Sequence, residues 1–159
     1  MAAKKEFIPY NNKKHGKYIV ELGHGFSIFD EIKKPQMACM GGKDMDNANF
    51  CIGISHIDKP MLMVDESHKH DFEQFIIFLG GDTTKFQDFD AEIEFGLDNK
   101  INKITYPACI HVAPGLMHGP LNIKKVNKPF VFIDIVINST PSVRPVPKET
   151  AARKDKSKA

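Results

Sequence analysis

From residue 49 to residue 137 the chain reads as short apolar runs, several of them alternating with period two, cut by glycine, proline, asparagine and aspartate. Side chains of an extended strand point alternately to opposite faces, so runs of this kind predict strands. The run 50–57 predicts the first clear strand, and Pro60 separates it from a second over 61–66. The run 75–79 predicts another, stopped by Gly80, Gly81 and Asp82, and 83–90 is a polar excursion carrying two phenylalanines. Ala91, Ile93, Phe95 and Leu97 alternate with Glu92, Glu94 and Gly96, which predicts a half-buried strand whose charged face meets water. Asp98, Asn99 and Lys100 predict a turn, 101–106 and 108–113 two short strands, and 130–137 a long apolar strand that closes the ordered region. Upstream, 18–47 is rich in glycine and predicts short strands and loops.

No segment has a convincing amphipathic helical pattern and no internal repeat is present. Many short strands between turn residues predict an all-β sandwich or barrel. A chain of 159 residues with 42% hydrophobic content suits one domain with a usable core. The expected organisation is a basic N-terminal tail over 1–17, a barrel domain over 18–140, and a disordered basic tail over 141–159, with Pro141, Pro145 and Pro147 marking the exit.

Charge sharpens that division. The formal net charge is +2, yet 1–17 holds five lysines and one glutamate, and 141–159 holds six basic and two acidic residues. The tails are therefore positive and the barrel domain negative. The tails lack interleaved aromatic residues and hydrophobic periodicity, so solvated ends are expected rather than a nucleic-acid or membrane surface. Cys39, Cys51 and Cys109 are an odd number without regular spacing, the usage of a reducing cytoplasm. The N-terminus has no secretory apolar core, and no run approaches the ~20 apolar residues of a membrane span.

Candidate chemistry gathers at His68, His70, Gln74 and His118. On a strand, His68 and His70 share a face, and Gln74 keeps their parity while Glu73 does not. A bulge would exchange Gln74 for Glu73. His118 follows a Pro114-Gly115 turn that returns the chain towards the same volume. Imidazole suits several first-row metals and an amide oxygen broadens the range, so Fe, Mn, Ni and Zn all remain open for one divalent ion. All four donors are neutral, which leaves the ion's charge uncancelled and favours a small anionic partner molecule. Glu66 has the parity of a candidate general base. Phe72, Ile76 and Phe78 have the parity of pocket-lining residues, and His111 is a candidate proton shuttle.

The spacing of His68, His70 and Gln74 with six residues before Gly81, followed by Pro114, Gly115 and His118 with three residues before Asn122, resembles the two signature motifs of the cupin superfamily. The resemblance covers roughly 60 to 140. It implies a single antiparallel jelly-roll-like β-barrel with one divalent metal inside, and pairing of barrels into a homodimer, for which the apolar strand 130–137 together with the glycine-rich N-terminal segment offers an interface. Gln74 stands where the family usually has glutamate, Leu62 and Pro107 where it usually has glycine, and Ala113 where it usually has proline. A glutamine at this place is similar to that of cupins acting on uronate-derived sugars. The expected function is Lewis-acid and enolate chemistry on a small anionic metabolite, of isomerase, lyase or decarboxylase type. An Fe(II)-dependent dioxygenase and a non-catalytic metal or small-ligand binder are the alternatives.

Overall fold

The computed structural model describes residues 18–19, 22–25, 31–32, 36–41, 45 and 47–137. The expected tails, 1–17 and 141–159, lie outside the described residues. Ten strands run through the described residues: β1 (Gly23–Gly25), β2 (Gln36–Met40), β3 (Cys51–Ile57), β4 (Met61–Val64), β5 (Glu73–Gly80), β6 (Ala91–Leu97), β7 (Lys100–Ile104), β8 (Ala108–Val112), β9 (His118–Val126) and β10 (Phe130–Ile137). They form a six-stranded sheet in the order β1-β2-β3-β10-β5-β8 and a four-stranded sheet in the order β4-β9-β6-β7. Every pairing between these strands is antiparallel.

Alternation places the core between the sheets. In β3 the odd positions from Cys51 to Ile57 are buried and the even ones half-buried, and in β10 Phe130, Phe132, Asp134 and Val136 point inward. In β6 the buried Ala91, Ile93 and Phe95 alternate with Glu92 and Glu94. Phe78, Phe95, Phe130, Ile57, Ile93 and Ile123 are the largest apolar residues with almost no exposure, and they come from both sheets. Phe78 packs between Phe130, edge-on, and Phe132, tilted, with ring centroids 6.0 and 5.8 Å away, and Phe89 from the 83–90 excursion reaches Phe130 at 5.2 Å.

The predicted turn at 98–100 is a two-residue hairpin. Asp98 and Asn99 have φ of 48° and 60°, the left-handed pair that matches the twist of flanking strands. The sequence reading has no strand over 118–126, yet β9 is the longest strand described. Gly119 and Pro120 interrupt its pattern, and a proline gives the ladder no N–H. Both partner registers shift near this point, between Leu62 and Val64 on β4 and between Phe95 and Leu97 on β6. Among the described residues no helix is long and apolar enough to cross a membrane.

Candidate metal centre

The segment before β5 is not the regular strand expected for His68 and His70. Only His68 pairs, in a single antiparallel bridge to His118. Its N–H donates to the His118 carbonyl at 2.8 Å, and the His118 N–H donates back at 2.9 Å. The Gly115 N–H donates to the His70 carbonyl at 2.7 Å, and the Ser67 hydroxyl donates to the Gly119 carbonyl at 2.7 Å. Two loops, each of which joins one sheet to the other, are thus tied together. Gly119 makes the tie possible: its φ is +96°, and a Cβ there would sit 2.5 Å from the Glu66 carbonyl. The histidines converge through this bridge rather than through period-two alternation.

The rings of His68 and His118 lie 4.3 Å apart, those of His70 and His118 4.7 Å, and those of His68 and His70 6.4 Å. A backbone carbonyl only accepts, so the His118 Nδ1 held 3.0 Å from the Leu116 carbonyl carries the proton and Nε2 keeps its lone pair. That Nε2 is buried and has no hydrogen-bond partner. His68 Nδ1 stands 3.3 Å from the Glu66 carbonyl in the same relation. His70 Nε2 faces the Gln74 Oε1 at 3.1 Å, and its Nδ1 is buried without a partner.

Burial pulls the His118 imidazole down to about 4; the Leu116 carbonyl works against this, and the neighbouring His68 and His70 add to it. His118 is therefore neutral at physiological pH, the form in which imidazole binds a metal. In His118 a buried Nε2 lone pair without a partner, with the Nδ1 proton held on a carbonyl, fits a divalent cation by donor chemistry, and the buried Nδ1 of His70 likewise has no partner. Among the described residues no group of three or more His, Cys, Asp or Glu side chains is already arranged to hold a metal ion.

Gln74 has the inward parity expected of it. Its Nε2 donates to Asp134 Oδ1 at 2.8 Å, and Asp134, on β10, is only 6% exposed. Sequence reading missed this contact, which joins residues sixty positions apart; the one signal available was an aspartate on an otherwise apolar strand. A carboxylate therefore stands one hydrogen bond behind a donor set that is neutral by residue type.

The remaining candidates separate. Phe72 stacks on His70, with centroids 3.8 Å apart and planes 6° from parallel, and so borders the three rings. Ile76 is buried beside Asp134, its cross-strand partner. Phe78 lies deeper, in the core between Phe130 and Phe132. Glu66 is exposed at the mouth, and its carbonyl rather than its carboxylate holds His68. Glu73 and His111 are both exposed on the outer face of the six-stranded sheet, 3.6 Å apart, with the His111 ring stacked on Phe75 at 4.9 Å. Neither joins the histidine cluster, because Gln74 and Val112, their neighbours in sequence, take the inward positions.

Two facing antiparallel sheets, with central strand β10 flanked by β3 and β5 and a histidine cluster where the sheets open, decide the architecture. The fold is a cupin barrel. No family model matches the sequence, and no curated protein matches it. Among solved structures, an RmlC-like cupin from Shewanella frigidimarina is similar at 17% identity, over 60% of this chain and 68% of that one, with a TM-score of 0.39. AerE from Microcystis aeruginosa is similar at 14% identity, over 83% of this chain and 50% of that one, with a TM-score of 0.49. A sugar phosphate isomerase from a cupin superfamily, from Silicibacter pomeroyi, is similar at 9% identity, over 65% of this chain and 60% of that one, with a TM-score of 0.44. The chain spans about half the length of AerE. What makes this a cupin barrel is its own strand order, and its chemistry rests on its own residues.

Proposed function

We propose that this cupin is a metal-dependent enzyme acting on a small anionic metabolite by isomerase, lyase or decarboxylase chemistry, with His68, His70, Gln74 and His118 holding one divalent transition metal. The observation that carries this reading is the buried, unpartnered Nε2 of His118, whose ring lies beside two further imidazoles, one of them facing an amide oxygen. An ordinary core histidine would have that nitrogen satisfied. A bound divalent ion supplies Lewis acidity, which polarises a carbonyl or carboxylate oxygen and lowers the cost of a developing enolate. The carbonyls of Leu116 and Glu66 hold His118 and His68 in one tautomer, so their Nε2 lone pairs stay available. The Phe72 ring, flat against His70, fixes that imidazole and shields one side of the mouth from water. Glu66, exposed two residues before His68, is proposed as the carboxylate that carries a proton between substrate and solvent.

The test compares metal content in protein purified without metal-affinity resin with that of Gln74→Ala and His118→Ala. Near-stoichiometric metal in the parent, reduced in both variants, together with turnover of small hydroxy- or keto-acids that is lost in His118→Ala, is the expected result. Tight ligand binding with retained metal and no product would make the protein a binder instead.

The protein is also proposed to pair as a homodimer through the outer face of the six-stranded sheet. Ile52, Ile54, Phe75, Ile77, Ile133 and Ile135 lie together there, half-buried, on adjacent strands β3, β10 and β5. Two copies related by a two-fold axis would bring this face against itself without opposing like charges. Glu73 and His111 lie at one corner of the face.

A further inference from the structure

We propose that Asp134 is the positioning residue that makes Gln74 an oxygen donor, and that it supplies, from one hydrogen bond behind, the negative charge that a glutamate at 74 would place directly on the cation. This rests on the metal reading above. An amide side chain has two ends of similar shape, and the group behind it decides which end faces the mouth. A carboxylate accepts, so the Gln74 NH₂ turns towards Asp134 at 2.8 Å and Oε1 is left facing His70 at 3.1 Å. Without Asp134, nothing fixed in that pair would prevent the amide from presenting NH₂, which cannot bind a metal.

Asp134 is placed for this role by the sheet. It faces inward on β10, between Gly53 of β3 and Ile76 of β5 in the cross-strand register, and Gln74 is one inward position further along β5. A carboxylate buried on an apolar strand is costly unless it is hydrogen-bonded, and packing alone would favour an aliphatic residue there. Gln74 is a partner that its carboxylate holds.

Charge leads to the same pairing. Three histidines and a glutamate would put one negative charge on the ion. Three histidines and the Gln74–Asp134 pair give the site as a whole the same charge, but through a neutral oxygen. The ion then keeps more of its own field for a substrate oxygen, while the site stays complementary to a cation. Gln74 and Asp134 thus act as one unit, a glutamate whose charge has been moved outward.

The pairing predicts a reciprocal rescue that a merely structural hydrogen bond would not give. Q74E sets two carboxylates in contact, and D134N in the same chain turns an amide nitrogen towards the new carboxylate and restores complementarity. The experiment measures two things on the parent, Q74E, D134N and Q74E/D134N: the thermal midpoint of metal-free protein, and the affinity for Zn²⁺ and for Mn²⁺ by chelator competition. The expected metal-free result is that Q74E melts below the parent and the double variant melts above Q74E. If Q74E does not fold, recovery of folding in the double variant is the same result in stronger form. The expected metal result is that D134N binds about 10- to 100-fold more weakly, the usual loss when an outer partner of a ligand is removed, and that the double variant returns to the parent's range. A double variant that melts lower than both single variants overturns the pairing. Unchanged affinity in D134N, with a parent that does bind, overturns the charge role of Asp134 and leaves the metal centre standing. A parent that binds neither ion overturns the metal centre, while the metal-free rescue separately decides whether Asp134 orients Gln74.

Discussion

The two sheets enclose one core but turn different surfaces outward. On the four-stranded sheet, Glu92 pairs with Lys103 at 2.7 Å and Glu94 with Lys124 at 3.8 Å, so its outer face is a lattice of opposite charges in contact with water. On the six-stranded sheet, the corresponding outer positions of β3, β5 and β10 are mostly isoleucine, valine, leucine and phenylalanine. The inner faces differ the other way. The four-stranded sheet contributes apolar residues and His118, whereas the six-stranded sheet contributes Gln36, Ser55, Gln74 and Asp134 among its phenylalanines. The sheet with clean alternation is a wall against solvent; the sheet without it has something to meet on both sides.

Although they differ in chemistry, both inner faces contribute fully buried side chains. Phe78, fully buried between Phe130 and Phe132, tests the six-stranded side. Phe78→Ala is expected to cost about 3–5 kcal/mol, and Ile93→Ala on the four-stranded side about 2–5 kcal/mol. Urea unfolding with unchanged slope measures both. A cost well below these for Phe78→Ala would mean that the six-stranded sheet is loosely packed against its partner.

The second test concerns the one titratable ring that the four-stranded sheet sends inward. His118 has its imidazole held down to about 4 in the fold against about 6.5 in the unfolded chain. Between those values the unfolded chain binds the extra proton, so stability falls as pH drops from about 6.5 to about 4 and is level above that window. A tenfold difference in proton affinity corresponds to about 1.4 kcal/mol. With solvent screening at the barrel mouth taken into account, the loss attributable to His118 in metal-free protein is on the order of 2 kcal/mol. Urea midpoints at pH 7 and pH 4.5, compared between the parent and His118→Gln, isolate it from the carboxylates. Equal acid sensitivity in both proteins would mean that the ring is charged or solvated in the fold.

How far the sequence reveals this arrangement depends on whether the signal is local. The strands at 91–97 and 130–137 are legible to the residue, because alternation or an unbroken apolar run coincides with sheet pairing. Strand β9 is not, because Gly119 and Pro120 hide a segment that β4 and β6 hold from both sides. His68, His70, Gln74 and His118 are brought together, although the expected continuous strand is replaced by one bridge. Parity separates His111 from Val112, but only the closed barrel tells which of the two faces inward. The Gln74–Asp134 contact has no local signature beyond a lone aspartate, since it is made by the register of β10 on β5.

The smallest effect on folding is expected where the contrast between the outer faces is strongest. Ile133 is half-buried at the centre of the apolar outer face, on the strand that β3 and β5 flank. Ile133→Lys leaves the core untouched and is expected to change monomer stability by less than about 1 kcal/mol. In a dimer built on this face, however, the same lysine would be forced against its own copy across the two-fold axis, a buried like charge without a partner. Sedimentation at micromolar concentration is therefore expected to give the mass of two chains for the parent and of one chain for Ile133→Lys. Glu94→Lys, on the four-stranded outer face, should leave the mass at two chains because water already solvates that surface. A parent that sediments as one chain would remove the dimer and leave the apolar face needing a different partner. A mass that responds to Glu94→Lys and not to Ile133→Lys would assign the interface to the charged sheet and reverse the comparison.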